Sequence, residues 1–586
     1  MNHKPNRIPP RVQQKKMPLS MDTMNQMVAF YNAGQWDLLE IAARDATKQH
    51  PEHVFGWKAL GKALLKSGKL EDAIEPLSRV TKISPNDPDS LNDLAIAFQN
   101  LGRREDAVQC YRRLLKTSPA PALTHDTLGA LLCELGRFAE AEIEFRQALA
   151  IDPQFIQAHI NLGFVAGNLA RWDEAEMKYR QVLELDPNFA EAHRRLGDLL
   201  GRIPSRASEA IVYLERAIAL NPEDAGSVVT LGNVLMAENR VEESRAMFRR
   251  AQQIQPLITW PSKKNKVDFS VLLLDAPGAG STPVTYLVSQ AAYDCHFVGI
   301  LPDFTYDMDL LLSKADVVVN MIADADNGNE VLPLALALAE RLDRPTINHP
   351  RKIMTTDRQS IAGKLAGIAL CRIPKTVRLP AASLTGAALQ EQLEQLTMPL
   401  LIRCAGTHGG DDFEKITEVD AIDSFVSRHP DAMFYLSEFV DYRSADGYYR
   451  KYRMICINGQ ILPYHLAIHN DWMVHHFRTD MANQAWMREE EEAFLKNPHG
   501  IFNQEHFAAF QKMATAIGLD YCGIDCSLDR DGNIVVFEAN ATMLVHDEKN
   551  TPFAYKNPYV AKIKEAFDTL LIRMATQKQA EALNQN

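Results

Sequence analysis

The chain has 586 residues, enough for several domains, and its 46% hydrophobic and 24% charged content is that of an ordinary globular protein. This excludes a wholly disordered or collagen-like chain. Basic residues number 63 against 75 acidic ones, a formal net charge of −12 that argues against a dedicated nucleic-acid binder.

Residues 1–19 are basic and lack an apolar stretch, so they read as a disordered N-terminus and not as a secretory signal. No apolar run reaches about 18 residues, and no membrane partner is expected. The eight cysteines are scattered. The closest pair, Cys522 and Cys526, has neither zinc-site nor disulfide-framework spacing, which points to a reducing cytoplasm.

From about residue 20 the chain repeats. Pro51, Pro85, Pro119, Pro153, Pro187, Pro222 and Pro256 recur about every 34 residues. Leu60-Gly61, Leu128-Gly129, Leu162-Gly163, Leu196-Gly197 and Leu231-Gly232 share one place, and Leu94-Ala95 fills it in the second unit. Ala73, Ala107, Ala141, Ala175 and Ala210 share another, each followed four positions on by Leu77, Tyr111, Phe145, Tyr179 or Leu214. The physics is a helical pair. Small residues let two helices approach, large ones fill the gap between neighbouring pairs, and proline ends each unit. One pair cannot bury its own apolar face, so the units stack. His159 and His193 fall at a large-residue place of the first helix and read as packing.

This pattern resembles the tetratricopeptide repeat (TPR) over residues 20–257, about seven helical pairs. The resemblance implies an all-α solenoid whose first helices line a groove for a peptide or protein. Lys62, Asp93, Asp198 and Asn233 are the residues expected to meet that partner.

Residues 258–267 read as a polar linker. The pattern then switches to short apolar runs alternating with helices. Strands are expected at 270–275, 296–301, 316–321 and 345–348, with a helix at 330–342, a small and largely parallel α/β domain over 268–350. The Gly-rich loop at 276–282 lacks the third Gly of a dinucleotide fingerprint and the Lys of a P-loop, and reads chiefly as a tight turn.

Beyond 350 the expected elements are a helix at 354–370, strands at 399–403 and 433–440, and two hairpins, 449–468 and 523–538. Asn458-Gly459 turns the first hairpin. In the second, Glu538 and Asn540 are two apart and share a face, and Asp525 can face them across the hairpin. Two carboxylates and an amide form a hard oxygen site suited to Mg²⁺. His465 and His469 lie four apart on a strand, with no third ligand evident for zinc. The acidic run 489–492 reads as a solvated helix face.

The order INHPRKIMTTDRQSIAGKL, IPKT, PLLIRCAGTHGG, LSEFV, KYRMICINGQ, GID, FEAN resembles the ATP-grasp superfamily, nearest its glutathione-synthetase and ribosomal-S6-modification-type ligases. The resemblance covers about 268–575. It implies a Rossmann-like pre-ATP-grasp subdomain over 268–350, an ATP-grasp catalytic domain over 351–575 and a tail at 576–586. It further implies ATP with two Mg²⁺ ions on Asp525, Glu538 and Asn540. Arg358 and Arg403 stand where the family has lysines against the phosphates. Gly406, Gly409 and Gly410 match a loop that closes over the phosphates, and Glu438 and Phe439 match the hinge that holds adenine and ribose. Arg453 matches an arginine at the acylphosphate end, with Lys451 where an acidic residue is usual. The activity implied is an ATP-dependent carboxylate–amine (or thiol) ligase working through an acylphosphate, with Arg453 and Arg403 catalytic. The rival reading is a scaffold whose nucleotide-binding domain no longer turns over.

Overall fold

The computed structural model describes residues 19–117, 121–264, 267–278, 281–282, 286–288, 293–407, 410, 412–475, 478–541, 543–548 and 551–584. The expected disordered segment, save Leu19, lies outside them. The chain forms two compact units, which divide after Pro222.

The first unit is six antiparallel helical pairs, from Met21–Asn32 with Trp36–Gln49 to Ala190–Gly201 with Ala207–Leu220. The repeating alanines Ala73, Ala107, Ala141, Ala175 and Ala210 are fully buried. The repeating glycines do what their lack of a side chain allows. A Cβ on Gly61 would stand 2.5 Å from Leu77, on Gly129 2.5 Å from Phe145, and on Gly163 2.4 Å from Tyr179. Each large residue therefore packs on the glycine of its own repeat, which corrects the expectation that it fills the space between repeats. Adding a branched side chain there overpacks a closed interface. Gly163→Val is expected to destabilise the first unit by about 1–3 kcal/mol, read as a fall in its melting temperature by circular dichroism.

Polar groups also repeat. Trp57 Nε1 donates to the Pro51 carbonyl at 2.7 Å. His159 and His193 place Nε2 2.9 Å from the carbonyls of Pro153 and Pro187. The two histidines are thus packed, as their position implied, and tie each first helix to the turn before it. Arg137, Arg171 and Arg206 reach back to Glu105, Glu142 and Glu176 of the preceding repeat at 3.2, 2.7 and 2.7 Å. Along the first helices Lys62 pairs with Asp93 at 2.7 Å, and Asn161 donates to Asp126 at 2.8 Å. Two residues expected to meet a partner therefore hold each other.

The second unit opens with a seventh helical pair, Ala225–Ala237 and Val241–Ile254. This pair is bonded to the sheets that follow. Arg245 pairs with Glu330, and Gln252 accepts from the backbone N–H of Gly299 at 3.2 Å. The expected linker is in part a strand: β1 (Ile258–Trp260) runs antiparallel along β3 (Tyr293–Gly299). β3 continues in parallel to β2 (Phe269–Asp275), β4 (Val317–Asn320) and β5 (Thr346–Ile347), giving the order β1-β3-β2-β4-β5. β2 and β4 are almost continuously buried, as a sheet covered on both faces requires.

Two further sheets follow. β6 (Cys371–Arg372) and β7 (Thr376–Pro380) come first; then β8 (Leu400–Cys404), β9 (Phe413–Ile416) and β10 (Met433–Glu438). β7-β10-β8-β9 is an antiparallel sheet. β11 (Tyr449–Ile457), β12 (Gln460–His469), β13 (Tyr521–Leu528) and β14 (Ile534–Asn540) form the third sheet, in the order β12-β11-β13-β14-β6. The helix expected at 354–370 is shorter, Arg358–Leu365, because the Asp357 side chain accepts from the Ser360 N–H and fixes its start. The last helix, Asn557–Asn584, runs on through the expected tail. Its Phe567 and Leu570 share a core with Val271 of the parallel sheet and Ile455 and Tyr521 of the third.

One asparagine locks two of these sheets together. Asn348, just after β5, is 1% exposed. Its Nδ2 donates to the carbonyls of Tyr521 and Ala541, and its Oδ1 accepts from the N–H groups of Asp520 and Tyr521. That holds the ends of β13 and β14 against the parallel sheet. Among the described residues no helix is long and apolar enough to cross a membrane.

Candidate functional site

A cavity of about 1000 Å³ lies within the second unit, walled by the loop after β4, the start of the Arg358–Leu365 helix, and the second and third sheets. Every described residue expected at the site except Asp525 lines it; Asp525 lies beneath its floor. Gly409 lies outside the described residues.

The floor is the β13–β14 hairpin. Its register sets Asp525 opposite Glu538 and Gly523 opposite Asn540, which places the three residues at one end of the hairpin. Asp525 is fully buried. Arg453, opposite it on β11, makes a two-pronged contact: Nε to Oδ1 at 2.6 Å and Nη2 to Oδ2 at 2.9 Å. Lys451, on the same face of β11, brings Nζ to 3.1 Å from Oδ2. Burial alone would raise the Asp525 carboxyl. Arg453 and Lys451 outweigh it and hold the group below the usual carboxylate range. Glu538 is part-buried and bonded through Oε2 to Arg358. Burial opposes its ionisation too, but Arg358, Lys451, Arg403 and Arg453 together hold it well below the usual range.

These bonds bear on the expected metal. Glu538 and Asn540 both line the cavity and are the residues that would hold a divalent ion. A second ion on Asp525 does not fit, because both carboxylate oxygens already receive N–H donors from Arg453 and Lys451. The donor set thus suits one ion, where the resemblance implies two.

Arg403 projects from β8 toward the same floor. One Nη2 hydrogen goes to the Thr407 carbonyl, while Nε is buried and has no partner among the described residues. Burial, with Arg358 beside it, pulls the guanidinium down to about 10. Glu538 and Asp324 offset that shift only in part. The loop that follows turns at Gly406, whose φ is +77°, and a Cβ there would stand 2.3 Å from Asn327 Oδ1. Asn327 in turn donates to the Gly406 carbonyl at 2.8 Å. Gly410, at φ +89°, stands by Met473 and Arg478.

At the other end of the cavity, Glu438 Oε1 accepts from the Thr397 N–H at 3.0 Å, which anchors the chain after β10. The Phe439 ring lies under Lys415 Nζ, 3.4 Å from its centroid, and edge-on to Trp472 at 5.8 Å. Tyr435 donates to Asp326 at 2.7 Å, and Arg378 pairs with the same carboxylate at 2.9 Å. Sequence reasoning missed Asn327, Lys415, Trp472 and the Asp326 cluster. No spacing signals them, since each meets its partner from a distant segment.

Two expectations near the site are revised. Glu491, within the acidic run read as solvated, is fully buried. Its Oε2 accepts from Tyr555 at 2.6 Å, and its Oε1 is bonded to His465. Burial opposes its charge, yet His465, Lys556 and Tyr555 bring it down to about 2. His465 is therefore part of a buried ion network under β12. His469 points elsewhere and accepts from the Asp471 N–H at 3.0 Å.

The TPR repeat family matches residues 61–102, and tetratricopeptide repeat families match residues 92–154 and 205–257. No curated protein matches the chain. Among solved structures, the APC/C hetero-tetramer Cut9-Hcn1 is 20% identical over 40% of this chain and 47% of that one, with a TM-score of 0.31. A tetratricopeptide repeat protein from Parabacteroides merdae is 18% identical over 40% of this chain and 92% of its own, with a TM-score of 0.34. Pseudomonas aeruginosa pilF is 22% identical over 37% and 94%, with a TM-score of 0.30. Tetratricopeptide repeat families thus match residues 61–154 and 205–257 of the helical array.

Proposed function

We propose that the second unit is an ATP-grasp ligase that joins a carboxylate to an amine or thiol through an acylphosphate. In this reading the repeats recruit the peptide or protein that carries one of the reacting groups. The observation that supports it best is Arg403: a half-buried guanidinium with a buried, unpartnered Nε, at the mouth of a glycine loop and with Arg358 beside it. Such a group suits a phosphate, which accepts from a guanidinium fork.

The chemistry assigned to the chain's own residues is mainly positioning and charge neutralisation. Arg403 and Arg358 hold the γ-phosphate. A substrate carboxylate oxygen attacks its phosphorus, the bond to the bridging oxygen breaks, and ADP leaves with those electrons. Arg453 holds the acylphosphate. The amine then attacks the acyl carbon, phosphate departs, and the amine gives up its proton. A divalent ion on Glu538 and Asn540 supplies further positive charge when bound. Gly406 and Gly410 let the backbone approach the phosphates, and Glu438 and Phe439 border the nucleoside end. No nucleophilic side chain is needed.

The test is trapping. The full chain is incubated with ATP, Mg²⁺, hydroxylamine and a panel of amino acids and peptides with free carboxylates. ADP release that depends on the carboxylate, with a matching hydroxamate by mass spectrometry, is the expected result. Phosphorylated product without hydroxamate would mean a phosphotransferase. Nucleotide binding without ADP would leave the scaffold reading.

A further inference from the structure

We infer that Lys451 is a built-in replacement for one divalent ion, so that this site takes a nucleoside triphosphate with one metal ion and not two. The inference rests on the nucleotide reading above and concerns the chain's own cations. Asp525 is fully buried, and its two oxygens already take three contacts, two from Arg453 and one from Lys451. Mg²⁺ demands octahedral coordination and keeps several of its waters. A carboxylate with no exposed surface and three N–H donors already on its oxygens offers it no room and at most one lone pair. Lys451 is fixed there by the β11–β13 register, which sets its neighbours Tyr452 and Arg453 opposite Cys526 and Asp525. Its ammonium lines the cavity, so it can face phosphate oxygens on one side while holding Asp525 on the other. Glu538 and Asn540, at the open edge, keep oxygens for a single ion.

Charge around the floor points the same way. Lys451, Arg358, Arg403 and Arg453 all act on Glu538, and Asp525 is the other carboxylate in their midst. Around Glu538 itself these four fixed cations outweigh the two carboxylates, a locally positive floor before any metal arrives. A polyphosphate is the anion that such a floor takes, and a metal-free one retains much of its attraction.

The decisive experiment counts ions. The full chain is saturated with a non-hydrolysable ATP analogue and titrated with Mn²⁺ under electron paramagnetic resonance. One bound Mn²⁺ per nucleotide is expected in the wild type, and two in Lys451→Glu, which restores a carboxylate beside Asp525. Two ions in the wild type, or one in both proteins, overturns the inference. Because Lys451→Glu places two acids together and can fail to fold, Lys451→Met is measured as well. Analogue affinity is compared with Mg²⁺ and with EDTA by calorimetry. The wild type is expected to bind in EDTA, and Lys451→Met to lose at least about thirtyfold there, as truncating one partner of a buried charge pair does. Wild-type binding that vanishes in EDTA overturns the inference and leaves the nucleotide reading standing. No binding under either condition overturns both.

Discussion

Asp525→Asn should unfold the second unit at a markedly lower temperature while leaving the repeats' own transition in place. The change keeps shape but removes a carboxylate that Arg453 and Lys451 both contact. Two cations would then share a buried place with a neutral amide. Removing one partner of a buried ion pair costs about 3–5 kcal/mol. The wild type should show the corresponding pH dependence. Asp525 and Glu538 are held below their ordinary values, and Glu491 sits at about 2. A lowered folded-state value means stability that is present above the unfolded-state value, near pH 4, and lost as pH falls through the folded one. Acid should therefore weaken the second unit progressively from about pH 4–5 toward pH 2, and Asp525→Asn should flatten that limb. Thermal scans between pH 2 and pH 7 read both effects. An unchanged limb in the variant would mean that Asp525 is not the group bearing this charge.

Arg403→Ala should do the reverse: weaken nucleotide binding strongly and leave the fold intact or firmer. In the free protein its guanidinium is buried, with one N–H unpartnered and Arg358 repelling it. Deleting it relieves a cost of the kind a functional site carries. With ATP bound, the same group would make charge-assisted hydrogen bonds worth about 1.5–3 kcal/mol, so affinity should fall about tenfold to a hundredfold. Calorimetry with ATP and a melting curve decide together. Lost stability with unchanged affinity would make Arg403 a structural residue of the glycine loop.

The sequence disclosed the parts of this protein that repeat or that pair locally. Gly61, Gly129 and Gly163 recur in phase because each meets the same kind of neighbour, so a single strand of text carries the contact. Asp525, Glu538 and Asn540 were brought together by hairpin register alone, which alternation and a turn specify. Their counter-ions were not legible. Arg358 reaches Glu538 across 180 positions, and Lys451 reaches Asp525 from another strand. Residue types at those places were visible; the bonds that decide whether a carboxylate is free for a metal were not. Glu491 misled for the same reason, since four acidic residues in a row look solvated until His465 and Tyr555 arrive from β12 and the C-terminal segment. The strand at Ile258–Trp260 was hidden by its shortness and by the polar residues after it.

The seventh helical pair has a bearing on how such a chain can change. It shares the repeat's pattern yet is bonded through Arg245 and Gln252 to the sheets after it. The pair acts as an adaptor, repeat-like in its sequence pattern and bonded to the α/β part that follows it. Whole repeats upstream of Pro222 can be gained or lost in steps of about 34 residues, while the pair that carries Arg245 and Gln252 stays the same. The length of the array is thus free to drift, and the sheets of the second unit inherit none of the disturbance.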